Sequence, residues 1–565
     1  IIIGIMSAAG SADVEEIKEH TVLALELNTK IHDNDSQNPF ANLNLMNMDL
    51  EKAVGLNTIL KNIDKAKTDP NIDGIFLKLS SIDAGISTIE EIRNALIKFK
   101  ESGKFIISHA DIYSHKTYYL ASISDKIYMT PEGGMQFVGL GAEIMFFKKA
   151  FEKFGIEPVI IRHGKFKSAV EPFMLEKMSE ANREQLSTFI GTIWNDMLKK
   201  IGKERNLEIN RLNQIADDLM INSAQSCVDM GMVDSLKYYD ELLAELQTRT
   251  GAEKIKDIEF ASLSKYNKVP KQKNDDEKGL AKEKIAVVYA SGEIVMGEGD
   301  GSNIGAAGLA RIIREIRNDD KIKAIVLRVN SPGGSALASE IIWREVKLAK
   351  ETKPLIVSMG DYAASGGYYI ACAADTIVAS SNTLTGSIGV FGVLFNIQKL
   401  LNDKIGLTFD RVNTNKHSDI GSMTRKIEKE EEAYILNSIE AVYATFTQHV
   451  AEGRGLTVEG VDEIGQGRIW SGINAKELGL VDVLGGLEDA IDIAADKAKL
   501  ERYRVVNYPK KKDPFDAFLE KFGGSIKVDA LEQELGDLKP YYQMLKNISE
   551  QKGIQARLPL ELIIN

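Results

Sequence analysis

Two long stretches of this chain repeat each other 250 positions apart. Residues 69–80, DPNIDGIFLKLS, read like residues 319–330, DDKIKAIVLRVN. At the same offset Phe105 to Ser108 matches Leu355 to Ser358, Asp111 matches Asp361, Tyr118 to Ala121 matches Tyr368 to Ala371, and Gly139 matches Gly389. Further on, Gly231 to Asp234 matches Gly479 to Asp482, with the offset now 248. Solenoid repeats are far shorter, about 20–50 residues, so a unit this long predicts two related domains. A chain of 565 residues is also too long for one hydrophobic core.

Within each unit, short apolar runs alternate with helical patterns. Ile325 to Leu327 and Leu355 to Val357 are continuous apolar runs, as expected of strands buried on both faces. Residues 308–318 and 339–350 carry helical periodicity and good helix formers. That alternation predicts an α/β architecture with right-handed crossovers. The expected division is residues 1–10, 11–264 for the first repeat, 265–283 as an exposed polar linker, 284–507 for the second repeat, and 508–565 as a helical tail without chemical signal. The first six residues, Ile1 to Met6, are apolar but far short of the ~20 that span a bilayer. We read them as the stub of a membrane anchor.

Composition excludes several function classes. With 70 Lys+Arg against 82 Asp+Glu, the formal charge is −12, and no basic block offers a surface for nucleic acid. Cys227 and Cys372 are too few for a disulfide framework or a zinc site, and the seven histidines form no metal-binding motif. No metal or organic cofactor is expected.

A duplication supplies its own control, because chemistry kept in one copy can be lost in the other. After the first matched strand the second copy has Asn330-Ser331-Pro332-Gly333-Gly334-Ser335, where the first has Ser80-Ser81-Ile82-Asp83-Ala84-Gly85. A Gly-Gly turn lets backbone N–H groups approach a ligand oxygen, as an oxyanion hole requires. A tight turn feeding a helix is the plainer reading of that stretch alone. The second difference is residues 360–369, GDYAASGGYY. There Ser365 stands at a strand-to-helix turn, where a hydroxyl is exposed and the following N–H can meet an oxyanion. Ser365 as a simple N-cap is the alternative. In the first copy His115 occupies the position of Ser365 and both glycines are gone. The joint loss favours a site.

A serine nucleophile needs a base. The next histidine after Ser365 is His417, 52 residues on. A desolvated lysine can serve instead, because burial favours the neutral amine. The segment running from Arg162 to Phe173 contains Lys165 and Lys167; matched to Asn415 to Gly421 of the second copy, it sets Lys167 opposite Ser418. A lone lysine is ordinarily a solvated surface charge, so this segment identifies no base by itself.

Four motifs in order resemble the signal peptide peptidase A (protease IV) family in its long, tandem-repeat form: residues 167–173 (KSAVEPF), 331–334 (SPGG), 360–368 (GDYAASGGY) and 384–393 (LTGSIGVFGV). The likeness covers roughly residues 50–500. It implies a tandem duplication of the Clp-protease/crotonase-like α/β superhelix, assembled as a homotetramer. It implies a serine peptidase with a Ser–Lys dyad, anchored by a single pass in the bacterial inner membrane, its body on the periplasmic side, that degrades cleaved signal peptides and other hydrophobic peptides. Carried over by position, Ser365 is the nucleophile, Lys167 the general base and Ser387 the residue that orients the lysine. Gly334 and Gly366 are the oxyanion N–H donors and Gly333 shapes the turn. A crotonase-like acyl-CoA enzyme, a Ser365–His417 pair and a non-catalytic membrane scaffold are the competing readings.

Overall fold

The computed structural model describes residues 15–35, 43–44, 49–50, 53–271, 281–510 and 554–557. The expected anchor stub, residues 1–10, lies outside them, as does most of the tail. The chain divides into two compact units.

The first unit is built on a six-stranded sheet in the order Ser235–Leu236, Lys126–Met135, Phe105–Tyr113, Ile72–Lys78, Thr21–Glu26, Phe260–Ser262, with every pairing parallel. The second unit repeats that order with Val483–Leu484, Thr376–Ala379, Leu355–Ala364, Ile322–Ser331, Lys284–Ser291 and Arg504–Tyr508, again all parallel. The duplication in sequence is therefore a duplication of topology.

The continuous apolar runs form strands because both sheet faces are covered. Along Lys284–Ser291, Ala286 and Val288 join one apolar cluster with Ile325 and Leu327. Their neighbours Ile285 and Val287 join another with Ala324 and Val326. Successive strand side chains point to opposite faces, so an unbroken run feeds two cores. Helices Ala306–Asn318 and Ala336–Lys350 supply Ile313 and Val346 to the first cluster, and Leu487–Lys497 supplies Ala490 and Ala494 to the second.

Two features of the second unit prepare its site. The register of Leu355–Ala364 against Ile322–Ser331 shifts near its end, and its last residues, Tyr362 to Ala364, pair with Leu384–Gly386. The unit also carries a second, mixed sheet in the order Ile304–Gly305, Ile294–Val295, Gly333–Ser335, Gln555–Arg557, Phe391–Asn396, Glu157–Arg162. Its last strand comes from the first half of the sequence. It pairs antiparallel with Phe391–Asn396 through all six residues, and the compact second unit accordingly includes Gly141–Gly191. An apolar cluster that includes Phe151, Phe173, Phe391 and Val393 fastens this insertion.

Two expectations need correcting. The linker does not begin at 265: Leu263–Asn267 is helical and buries Tyr266, whose hydroxyl donates to Asp69 at 2.9 Å. An aromatic ring with a core partner ties down what polar neighbours suggested was exposed. The tail is not helical where it is described, since Gln555–Arg557 forms a strand between two others. Pairing partners, rather than local propensity, decide its conformation.

Candidate active site

Ser365 follows the strand Leu355–Ala364 and precedes the helix Gly366–Ala371. Its backbone is at φ 55° and ψ −116°, a conformation that costs a non-glycine residue on the order of 1–3 kcal/mol. Two hydrogen bonds hold it there. Its N–H donates to Gly386 O at 2.8 Å, and its carbonyl accepts from Tyr369 N–H at 2.8 Å. The hydroxyl at this strained turn is fully buried, where the sequence led us to expect an exposed one.

The glycines beside it are there for space. A Cβ on Gly366 would come within 2.6 Å of Ser339 Oγ, and one on Gly367 within 2.6 Å of Ser331 O. Gly333 takes φ +98°, a conformation that L side chains rarely adopt, and its N–H donates to Ser331 Oγ at 3.1 Å. The Gly-Gly turn thus packs directly onto the start of the Ser365 helix.

Lys167 reaches this place from Gly141–Gly191. Its Nζ lies 2.8 Å from Ser365 Oγ, 3.0 Å from Ser387 Oγ and 3.1 Å from Ser387 O. The side chain is only 1% exposed. Burial without a carboxylate partner disfavours the ammonium form and lowers its pKa from 10.5 to about 7. Ser387 is also left-handed, at φ 51°, with its N–H donating to Arg468 O at 2.7 Å, so that its carbonyl and hydroxyl both face the amine.

Several residues around the amine went unread in the sequence. Gly467, at φ +83°, presses against the lysine backbone, so that a Cβ there would lie 2.6 Å from Lys167 Cα. Gly467 N–H donates to Ile388 O at 2.7 Å and Phe166 N–H donates to Gln466 O at 2.9 Å. Arg162 donates to Lys167 O at 3.1 Å. Gln185 Nε2 donates to Phe166 O and Ser168 Oγ, while its Oε1 accepts from Ile469 N–H at 3.2 Å. The buried Glu171 carboxylate accepts from Ser179 N–H at 3.1 Å and from Asn182 at 3.1 Å. The only signal available was the GQGR run at 465–468 and the glutamate inside the KSAVEPF motif.

The other candidates lie elsewhere. His417 pairs with Glu431 at 3.2 Å in an ion-pair group with Arg425 and Asp419. Ser418 Oγ donates to the carbonyl of Asn415. In the first unit, His115 Nε2 accepts from Val138 N–H at 3.0 Å and packs on Trp194 and Phe137. Lys116, the counterpart of Gly366, donates to the carbonyl of Ala84, the counterpart of Gly334, at 2.9 Å. Side chains fill that copy's equivalent of the glycine cradle. Among the described residues no group of three or more His, Cys, Asp or Glu could hold a metal ion, and both cysteines are free and buried.

The sequence profile of peptidase family S49 matches residues 98–253 and again 347–501. The chain belongs to peptidase family S49. It is a serine peptidase with that family's domain present twice. A chloroplastic serine protease SPPA of Arabidopsis thaliana is 34% identical over 517 residues, covering 89% of this chain and 74% of that one. Protease 4 of Salmonella typhi is 37% identical, covering 83% and 76%. Protease 4 of Haemophilus influenzae is 36% identical, covering 76% and 71%. The tandem α/β organisation of this peptidase follows from the two profile matches and the two like sheets.

Proposed function

We propose that this peptidase cuts peptide bonds with a Ser365–Lys167 dyad. The 2.8 Å separation of Lys167 Nζ from Ser365 Oγ, in a buried setting, carries the reading. With the amine neutral, its two N–H groups donate to the carbonyl and hydroxyl of Ser387 and its lone pair faces the Ser365 hydroxyl. Lys167 takes the Ser365 proton as Oγ attacks the substrate carbonyl. N–H groups of Gly334 and Gly366 receive the oxyanion, and Gly333 keeps the turn in shape. The ammonium then protonates the departing amine, and water, activated by the same lysine, hydrolyses the acyl-enzyme.

The substrate reading is an extended, apolar peptide, with cleaved signal peptides as the natural class. An extended segment can pair with Gly333–Ser335 through main-chain hydrogen bonds, in the place that Gln555–Arg557 holds in the sheet. We further propose a membrane anchor, a homotetramer and an extracytoplasmic body, as the family resemblance implies. Among the described residues no helix is long and apolar enough to cross a membrane.

A fluorophosphonate probe and a quenched signal-peptide substrate test the dyad. Wild type is expected to be labelled at Ser365 and to cleave the peptide. Ser365→Ala is expected to lose both, and Lys167→Ala to lose cleavage by at least about a thousandfold. Activity that survives Lys167→Ala but disappears in His417→Ala would overturn the assignment.

A further inference from the structure

Lys167 stands at the apex of a tight turn, and one buried side chain grips both ends of that turn. The lysine backbone is at φ −74° and ψ 68°, and Ser168 N–H donates across it to Phe166 O at 2.7 Å. Those angles and that bond make an inverse γ-turn. Gln185 Nε2 donates to the turn's acceptor, Phe166 O, at 3.2 Å and to Ser168 Oγ at 2.6 Å. The Ser168 hydroxyl itself donates to Phe166 O at 3.0 Å. The residues on either side of Lys167 are thus tied to one amide.

The other end of that amide reaches the strand behind the nucleophile. Gln185 Oε1 accepts from Ile469 N–H at 3.2 Å. Ile469 stands opposite Gly386 where Ile469–Ser471 pairs antiparallel with Leu384–Gly386. Gly386 O in turn accepts from Ser365 N–H at 2.8 Å, and the next residue, Ser387, faces the amine. A single side chain therefore links the turn that carries Lys167 to the strand that holds Ser365.

Gln185 is itself held in place. It lies on the helix Glu180–Arg205 and is 4% exposed. Its Nε2 also lies 3.1 Å from Asn182 Oδ1, and Asn182 Nδ2 donates to the buried Glu171 carboxylate at 3.1 Å. An amide buried this deeply costs free energy unless its polar atoms are paired, and here both are. The duplication indicates that the fold alone does not require it. Helix Lys429–Arg454 of the second copy is also 26 residues long and starts 249 positions later, between the offsets of 250 and 248 found in the sequence. The position of Gln185 there holds Tyr434, which is 67% exposed. The amide is buried in the copy that supplies the lysine, and its counterpart faces solvent in the copy that does not.

We propose that Gln185 is a positioning residue for the dyad: its amide fixes the Lys167 turn against Ile469 and so sets the distance over which Ser365 gives up its proton. The proposal rests on the dyad reading above and adds to it a residue that need not touch substrate. Without the amide, Lys167 keeps its segment but its turn is free to shift, and a displacement on the order of 1 Å costs the reaction about a hundredfold. Substrate pairing at Gly333–Ser335 uses none of these groups, so the loss falls on kcat rather than on KM.

Steady-state cleavage of a quenched peptide and fluorophosphonate labelling of Ser365, on full chains shown to be folded by circular dichroism, test this. Gln185→Met keeps the length of the side chain and removes its hydrogen bonds; kcat is expected to fall about thirty- to hundredfold, with KM within about twofold of wild type. Ser168→Ala, a milder cut into the same turn, is expected to lower kcat about five- to tenfold and carries the test if Gln185→Met does not fold. Each change is then added to Lys167→Ala, which is expected to label slowly because its base is gone. A residue that acts through the lysine has nothing left to position there, so both double variants are expected to label within about twofold of Lys167→Ala. Wild-type kcat in Gln185→Met, a loss that falls on KM, or a double variant slowed by as much again as the single one overturns the proposal and leaves the dyad standing. Labelling of Lys167→Ala at the wild-type rate removes the dyad and this proposal together.

Discussion

The burial of Lys167 has a consequence that a pH titration reads directly. In the proposed dyad the working form is the neutral amine, and burial lowers the pKa of Lys167 from 10.5 to about 7. For a single group titrating near 7, the neutral fraction rises from about one-tenth at pH 6 to about nine-tenths at pH 8. kcat/KM should therefore rise about tenfold over those two units and then level off. A solvated lysine would give about a hundredfold rise over the same span and no plateau below pH 10. The assay is initial-rate cleavage of a quenched peptide that carries no titrating group, from pH 5 to 10 at constant ionic strength. The rate of fluorophosphonate labelling at Ser365 serves as a readout independent of peptide binding and should show the same inflection. The folded state has its own signature. The folded amine binds a proton more weakly than the unfolded one, so between pH 7 and 10.5 the unfolded chain holds more protons. This group makes stability rise with pH across that window and contributes no slope below it. Denaturant midpoints that fall with pH there, or a kcat/KM still climbing steeply at pH 9, would refute the reasoning.

Three further outcomes follow. Gly467→Ala puts a Cβ 2.6 Å from Lys167 Cα at φ +83°, so kcat should fall by about a hundredfold or more, with Ser365 still present to react slowly with the probe. Ser387→Ala removes the hydroxyl 3.0 Å from Lys167 Nζ; kcat should drop roughly tenfold while KM changes little, checked by steady-state kinetics. His115→Ala, in the first unit, should lower the thermal midpoint by emptying a buried aromatic contact with Trp194 and Phe137. Peptide cleavage per folded molecule should stay at the wild-type rate.

Much of this site was legible because the chain contains its own comparison. Ser365, Gly333, Gly334 and Gly366 stand out where His115, Asp83, Ala84 and Lys116 have replaced them, and the retained types are those an oxyanion site requires. The strands were legible for a different reason: runs such as Ile285 to Val288 fill two cores at once and leave a continuous apolar trace. Gly467 and Arg468 left no comparable trace. They act through a backbone approach and a backbone carbonyl, which side-chain identity barely records. Nor does any local pattern announce that Glu157–Arg162 pairs with Phe391–Asn396, or that Gln555–Arg557 becomes a strand. Both are pairings between segments far apart in sequence, settled by which sheet edge is open.

The six-residue pairing of Glu157–Arg162 with Phe391–Asn396 also sets how this gene can be divided. The natural cut for a designer falls in the polar stretch after Val269, between the two repeats. A fragment starting there would carry Ser365, both glycine turns and all six strands of the repeated sheet, and would still lack Lys167, the proposed proton acceptor. On the dyad reading, no uninterrupted piece of the second half is a minimal peptidase. The smallest one would graft residues 141–191 onto residues 282–508, and the grafted piece would have to end in a helix rather than a loop. The segment that carries Lys167 belongs in sequence to the first repeat and in space to the second unit, so deleting the first repeat would remove it.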